Sequence, residues 1–175
     1  MIEMCMSVVF AVDFKESDEN AIKEKVMELG NVYQYGVSIG PENLHPEVKD
    51  ILPALLSEPQ MLFEVHDMPE QHCACDIDQD IRNGSKTGRK SKFFDFVREI
   101  SESGSITSLA VMFFEEELPD EFNIRKYYGG LEEFVQLLNR WNTWQVERFE
   151  PIRGAYEIAD STPMLYTFTE KALPN

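Results

Sequence analysis

The chain has 175 residues, a length that suits a single domain whose hydrophobic core needs no disulfides or metal to hold it together. It carries 32 acidic residues against 16 lysines and arginines, for a formal net charge of −16. This charge repels nucleic acid and anionic membranes, so we expect neither as a direct partner. A basic protein is the partner that such a charge favours.

Cysteine usage and the start of the sequence indicate a compartment. Three cysteines, two of them one residue apart, do not make a disulfide framework. No basic region precedes the short apolar stretch near the start, which is too short for a signal peptide or a membrane span. We therefore predict a protein of the reducing cytoplasm, of bacterial type and without a cofactor.

The first elements follow from residue type and spacing. β-Branched and aromatic residues predict a buried strand over residues 7–14. A helix is expected from residue 17 or 18 to Leu29, ended by Gly30, because a capping residue opens it and its apolar residues share one face. Residues 32–39 are predicted to form the second strand.

Two prolines and an alternating segment come next. Pro46 opens a short helix, which Pro53 bends or interrupts. In residues 61–66, Met61, Phe63 and Val65 alternate with the other three positions, which is the period of a half-buried strand.

The second half yields two helices and three strands. Aromatic residues at helical spacing predict a helix over 93–100 that ends before Gly104. The remaining predicted elements are a strand over 106–114, a helix over 131–141 that begins after a Gly-Gly pair, and a hairpin of strands 155–159 and 164–169.

These elements predict an α+β fold of mixed α/β character. Residues 1–175 should form one acidic globular domain with a mixed, mostly antiparallel sheet of about five to six strands and helices packed on it. Five basic residues, no acids and several Gly and Ser residues fall within residues 82–92, which we therefore predict to be an exposed basic loop. It would contact the protein's own acidic surface or an acidic patch on a partner.

The segment of residues 66–80 contains candidate metal ligands and is the basis of an alternative function, a metal-dependent enzyme. Its candidate ligands are His66, His72, Cys73 and Cys75, followed by three aspartates. Zinc sites pair their ligands at wider spacing, and no second Cys or His pair is present to complete a tetrahedron. We therefore predict no metal site.

Two other motifs fail at diagnostic positions. An EF-hand calcium loop starting at Asp76 needs Gly and Glu where Ile81 and Thr87 stand. A phosphate-binding loop needs Gly before Lys86, and Ser85 occupies that place. No nucleophile elbow or other catalytic motif is present, so the sequence favours binding over catalysis.

Clustered acids next to aromatic residues are typical of a surface that binds a basic protein. The candidate partner-binding residues are Glu115, Glu116, Glu117, Asp120, Glu121, Tyr127 and Tyr128, together with Asp76, Asp78 and Asp80.

The leading hypothesis is an acidic, non-catalytic inhibitor of the immunity-protein type. It would neutralise a basic toxin such as a nuclease by occluding its active-site cleft, with carboxylates placed where phosphates bind. Besides the metal-dependent enzyme, the alternative is a non-catalytic adaptor or structural subunit whose acidity only keeps it soluble.

Overall fold

A computed structural model of the protein describes residues 6–15, 18–54, 58–68, 73–115, 123–139 and 163–169. Its strands are β1 (Met6–Phe14), β2 (Gly36–Ile39), β3 (Met61–His66), β4 (Ile106–Glu115), β5 (Arg125–Gly129) and β6 (Met164–Phe168). Its helices are α1 (Glu19–Tyr33), α2 (Val48–Ile51), α3 (Cys75–Thr87), α4 (Lys92–Ser101) and α5 (residues 131–139), with 3-10 turns at Pro41–Asn43 and Leu52–Ala54.

The six strands form one sheet in the order β2-β3-β1-β4-β6-β5. Neighbouring strands are antiparallel except β5 and β6, which are parallel. The α+β class, the mixed and mostly antiparallel sheet, and the helices packed on it are as predicted. Among the described residues, no helix is long and apolar enough to cross a membrane.

Both faces of the sheet are covered, because alternate residues of β1 enter two separate hydrophobic clusters. Val8, Phe10 and Val12 pack against α1, α3, α4 and α5, whereas Val9 and Ala11 pack against the segment that contains α2. The larger cluster takes buried residues from four helices: Ile22, Val26, Leu29, Ile77, Ile81, Phe93, Phe94, Phe96, Val97, Ile100, Phe134 and Leu138. The smaller cluster takes Leu44, Val48 and Ile51.

Burial on the second face corrects the prediction for β3. All six residues of Met61–His66 are buried, so the strand is not half-buried. β3 lies between β2 and β1, and residues 41–51 cover the face on which Leu62, Glu64 and His66 lie. The side chains of Glu64 and His66, which the alternating pattern assigns to solvent, are therefore inside the protein.

The predicted exposed loop over residues 82–92 is wrong for its first half, since residues 82–87 belong to α3. The acidic segment 76–80 is likewise helical and not a loop. Ile77 and Ile81, one helical turn apart, are buried in the larger cluster and hold this polar segment on the sheet. Gly88, with φ of 73°, ends the helix, and Ser91 caps α4 by accepting the amide of Phe93.

The start of β2 also differs from prediction. Helix α1 continues past Gly30 to Tyr33 and ends at Gln34 in the left-handed conformation, so β2 begins only at Gly36. Gly30 does not stop the helix. It lets the helix approach β2 closely, because a Cβ there would lie 2.7 Å from Val37 Cγ2 and 3.2 Å from the carbonyl oxygen of Tyr35.

The C-terminal hairpin is wrong in its pairing. Strand β6 forms where one arm was predicted, but its two edges are taken by β4 and by the unpredicted strand β5. Residues 155–159 lie outside the described residues, as do residues 140 and 141 of the predicted last helix.

The close approach of α1 to β2 gives a test of the fold. In an exposed helix, replacing Gly by Ala stabilises by about 1 kcal/mol. Here we expect Gly30→Ala to lower the free energy of unfolding by about 1–3 kcal/mol, because the added methyl overpacks against stiff Val37. Urea unfolding measures the change. Asn31→Ala, at the exposed next position, should not destabilise, and equal effects of the two substitutions would contradict the packing argument.

Candidate functional site

The two acidic clusters of the sequence start from the same end of the sheet. Met6, the first residue of β1, pairs with Glu115, the last residue of β4. The carbonyl oxygen of Met6 also accepts the amide of Ala74 at 2.8 Å, one residue before α3 begins. We call this end, with Asp67, Asp76, Asp78 and the backbone of Glu115, the acidic end of the sheet.

Asp67 fixes the start of α3 at the acidic end. Its carboxylate oxygens accept the amides of Asp76 and Ile77 at 2.8 and 2.9 Å, which satisfies two donors of the first helical turn. Burial raises the pKa of the Asp67 carboxyl, and these two hydrogen bonds act in the opposite direction. Asp76 is exposed and Asp78 half-buried, both in the first turn, where the helix dipole favours negative charge.

Asp80, the third acid of this cluster, has an internal role. It accepts a hydrogen bond from the hydroxyl of Ser91 at 2.7 Å and lies 3.7 Å from the guanidinium of Arg89. Lys90 pairs with Asp95 at 3.0 Å. The basic segment thus contacts the protein's own acids, as expected from the sequence. Asp80 is one helical turn, about 6 Å along the axis, from Asp76, so the chain after Gly88 folds back towards the first half of α3.

The other predicted interface residues divide into two groups. Glu116, Glu117, Asp120 and Glu121 lie outside the described residues. Tyr127 and Tyr128 lie on β5, which is at the border of the sheet within the described part of the chain. Tyr127 packs against the larger core cluster, whereas Tyr128 is 53% exposed. Tyr128 is therefore the described aromatic residue of the set that is open to a partner.

The candidate metal ligands do not converge in the described residues. His66 is on the face that residues 41–51 cover, and its Nε2 lies 2.9 Å from Ser38 Oγ. Cys75 accepts the amide of Met6, and its Sγ is 2.7 Å from that of Cys73. His72 lies outside the described residues. Over the part of the chain that the structure describes, no three His, Cys, Asp or Glu side chains are arranged to hold a metal ion.

A cavity of about 560 Å³ lies between β2 and the segment 41–46, on the second face of the sheet. This volume is in the range of small-molecule and side-chain pockets. Glu42, Asn43 and Pro46 are exposed, so the cavity opens to solvent, whereas Glu64 is only 2% exposed. The lining residues are Val37, Ser38, Ile39, Glu42, Asn43, Leu44, His45, Pro46 and Glu64.

Ser38, His66 and Glu64 form a polar cluster at this cavity, and two of them, Ser38 and Glu64, line it. Ser38 and Glu64 are direct neighbours across β2 and β3, and the backbone amide of His45 donates to Glu64 at 3.1 Å. The contact between Ser38 and His66 has the length of a nucleophile–base pair. Glu64 Oε1, however, is 3.9 Å from His66 Nδ1, too far for the hydrogen bond that would orient a catalytic base.

Backbone donors near the cavity are also engaged. The amide of Gly40 donates to the Leu62 carbonyl, that of Asn43 to the Gly40 carbonyl, and that of His45 to Glu64. An oxyanion hole needs donors that point at the reacting atom, and these three point elsewhere. These three amides therefore do not form an oxyanion hole at the cavity.

The cavity and its polar cluster have no counterpart in the predictions made from the sequence. The alternating pattern places Glu64 and His66 on the solvent face of a half-buried strand, and Ser38 falls within the predicted second strand without an assigned role. One signal was available: Leu62, on the same face as Glu64 and His66, indicates that this face is covered.

Comparison of the chain with protein-family models, with curated protein sequences and with solved structures finds no significant match. The candidate site is therefore inferred from its geometry and charge alone.

The hydrogen bond that Asp80 accepts from Ser91 predicts that Asp80, unlike an exposed acid, contributes to the stability of the fold. Asp80→Ala leaves the hydroxyl of Ser91, which is 2% exposed, without its acceptor, so we expect the free energy of unfolding to fall by about 1–3 kcal/mol. Glu24→Ala, at an exposed position of α1, should change it by less than about 0.5 kcal/mol. Chemical denaturation compares the two, and an unchanged stability in Asp80→Ala would contradict the assigned role.

Proposed function

We propose that this protein is an acidic, non-catalytic inhibitor of the immunity type, which binds a basic protein such as a nuclease toxin and occludes its active-site cleft. The observation that carries the proposal is that Asp76 and the backbone of Glu115, which begin the two acidic clusters of the sequence, lie at the same end of the sheet. Asp76 and Glu115 are 39 positions apart in sequence, yet the segments that hold them both contact Met6.

The arrangement of the basic residues supports the same proposal. Arg89 contacts Asp80, and Lys90 contacts Asp95. The positive charge of these two residues is thus partly neutralised within the protein. A concentrated negative surface favours association with a positively charged cleft and disfavours nucleic acid and anionic membranes as direct partners. We place this activity in the cytoplasm, where such a toxin would act on nucleic acid.

The proposal predicts a complex with a toxin encoded beside this gene. The chain is co-expressed with the product of each adjacent gene, and complex formation and nuclease activity are measured on the purified proteins. We expect one neighbour to be a basic nuclease that forms a stoichiometric complex and loses activity in it. A stable complex that leaves nuclease activity intact would support the adaptor alternative, and the lack of any complex with a basic neighbour would contradict the proposal.

Electrostatic steering predicts a strong dependence of association on salt. We expect the association rate constant of that complex, measured by stopped flow, to fall about tenfold or more between roughly 50 and 500 mM NaCl, because the field is screened. The dissociation rate constant should change less. An association rate that does not depend on ionic strength would contradict a role for the acidic end in steering.

Two variants that remove the same amount of charge at different places test which surface binds the partner. The triple variant Asp76→Asn, Glu116→Gln, Glu117→Gln should slow association about tenfold, because it removes the charge of Asp76 at the acidic end and of the two glutamates that directly follow Glu115 in sequence. The control Glu24→Gln, Glu58→Gln, Glu102→Gln removes the same charge elsewhere, and we expect a change of less than about threefold. Equal effects of the two variants would show that net charge, and not this surface, drives association.

A further inference from the structure

The cavity beside β2 combines two apolar side chains with an acidic floor. Leu44 and Pro46 line it, whereas Val37 and Ile39 border it from a strand whose aliphatic side chains pack on the other face of the sheet, and Glu64 lies at its buried end. Glu42, at the exposed rim, has the same charge. Lysine and arginine side chains have the complementary form, since an apolar stem carries the charged head group.

We propose that this cavity receives one arginine side chain of the basic protein partner, with Glu64 as its counter-charge. The inference rests on the proposed function, because it identifies how a basic partner would be anchored. A carboxylate accepts up to about four hydrogen bonds, so a guanidinium can add its donors to the amide that His45 already supplies. Planar, bidentate pairing with a carboxylate favours arginine over lysine.

Electrostatics makes a cation the suitable occupant. A carboxylate taken out of water has a large desolvation penalty, which a cation placed beside it reduces. Among the residues that line the cavity there is no lysine or arginine, and both ionised carboxylates would repel a phosphate or carboxylate ligand.

The position of the cavity suits an anchor for the same partner. Glu64 is two residues from His66, the last residue of β3, and so lies about 7 Å from the acidic end of the sheet. A partner surface that meets the acidic end is therefore within reach of the opening between β2 and residues 41–46. Buried arginines of this kind contribute much of the binding energy of protein interfaces.

The test uses a small arginine probe on the whole, isolated protein. N-acetyl-arginine amide is titrated into the isotopically labelled chain, and N-acetyl-citrulline amide, which has nearly the same shape without the charge, is the control. We expect the arginine probe to shift the backbone signals of residues 37–46 and 64, with a dissociation constant on the order of millimolar. We expect the citrulline probe to bind at least tenfold more weakly.

Two variants test the role of the floor and the rim. Glu64→Gln keeps an oxygen for the His45 amide but removes the charge, and should weaken binding of the arginine probe at least tenfold. Glu42→Gln, at an exposed position that does not threaten folding, should weaken it about two- to threefold. Glu102→Gln removes an exposed acid far from the cavity and should leave binding unchanged within a factor of two.

Several outcomes would overturn the inference. These are shifts spread over the acidic surface without a focus at the cavity, equal binding of the two probes, or undiminished binding in both Glu64→Gln and Glu42→Gln. Thermal unfolding checks that each variant is folded. If Glu64→Gln does not fold, Glu42→Gln still decides, because binding unchanged in that variant counts against the cavity.

A peptide with one arginine between flexible Gly and Ser residues distinguishes the source of the guanidinium. Binding of this peptide at least as tight as that of the amide supports an arginine on a protein, whereas exclusion of the peptide indicates a small cationic metabolite and overturns the partner assignment. The probe experiment needs no toxin, so it can succeed when the co-expression test fails. In the same way, a toxin complex whose affinity Glu64→Gln leaves unchanged would retain the proposed function and remove the arginine anchor.

Discussion

The stacking of Phe10 on Phe63 is the contact from which the arrangement of the sheet and helices follows. The two rings are 4.7 Å apart and nearly parallel, and Phe93 and Phe96 of α4 meet Phe10 edge-on. Phe10 is at the middle of β1, the strand that β3 and β4 flank, and is fully buried. Aromatic side chains bury large areas in fixed relative orientations, so this cluster fixes α4 on the sheet and β1 within it. The start of β1 then determines where the acidic end lies.

The second face of the sheet follows a different principle. It is covered by the segment 41–51, which contains a 3-10 turn and the short helix α2, and part of what this segment covers is polar. The amide of His45 donates to Glu64, and Ser38 contacts His66, so the buried polar groups of β3 and the chain that covers them hold each other in place. Burying the Glu64 carboxylate in a protein of high negative charge costs free energy. Loss of its hydrogen bond from the His45 amide would raise that cost.

Charge is distributed along the fold in a way that moderates self-repulsion. Helix α3 begins with Asp76 and Asp78, where the helix dipole favours anions, and leads into a basic segment at its other end, where the dipole favours cations. Arg89 and Lys90 then meet acids of the same domain. These ion pairs leave the net charge of −16 unchanged, because that figure already subtracts the basic residues.

The sequence by itself determined the α+β class, the buried strand β1, the aromatic helix α4 and the acidic character, because each depends on local spacing or on composition. It could not determine that residues 76–87 form one helix, since Ile77 and Ile81 stabilise that helix only through the core they enter. Strand β5 escaped the sequence pattern because its pairing with β6 joins residues far apart in the chain. The candidate site was decided only by tertiary structure: Met6 brings Ala74 and Glu115 together, and the segment 41–46 buries Glu64, whose place on an alternating strand had suggested solvent. Composition determines how much charge a chain has. The place of that charge in the fold depends on long-range pairing, which residue spacing does not encode.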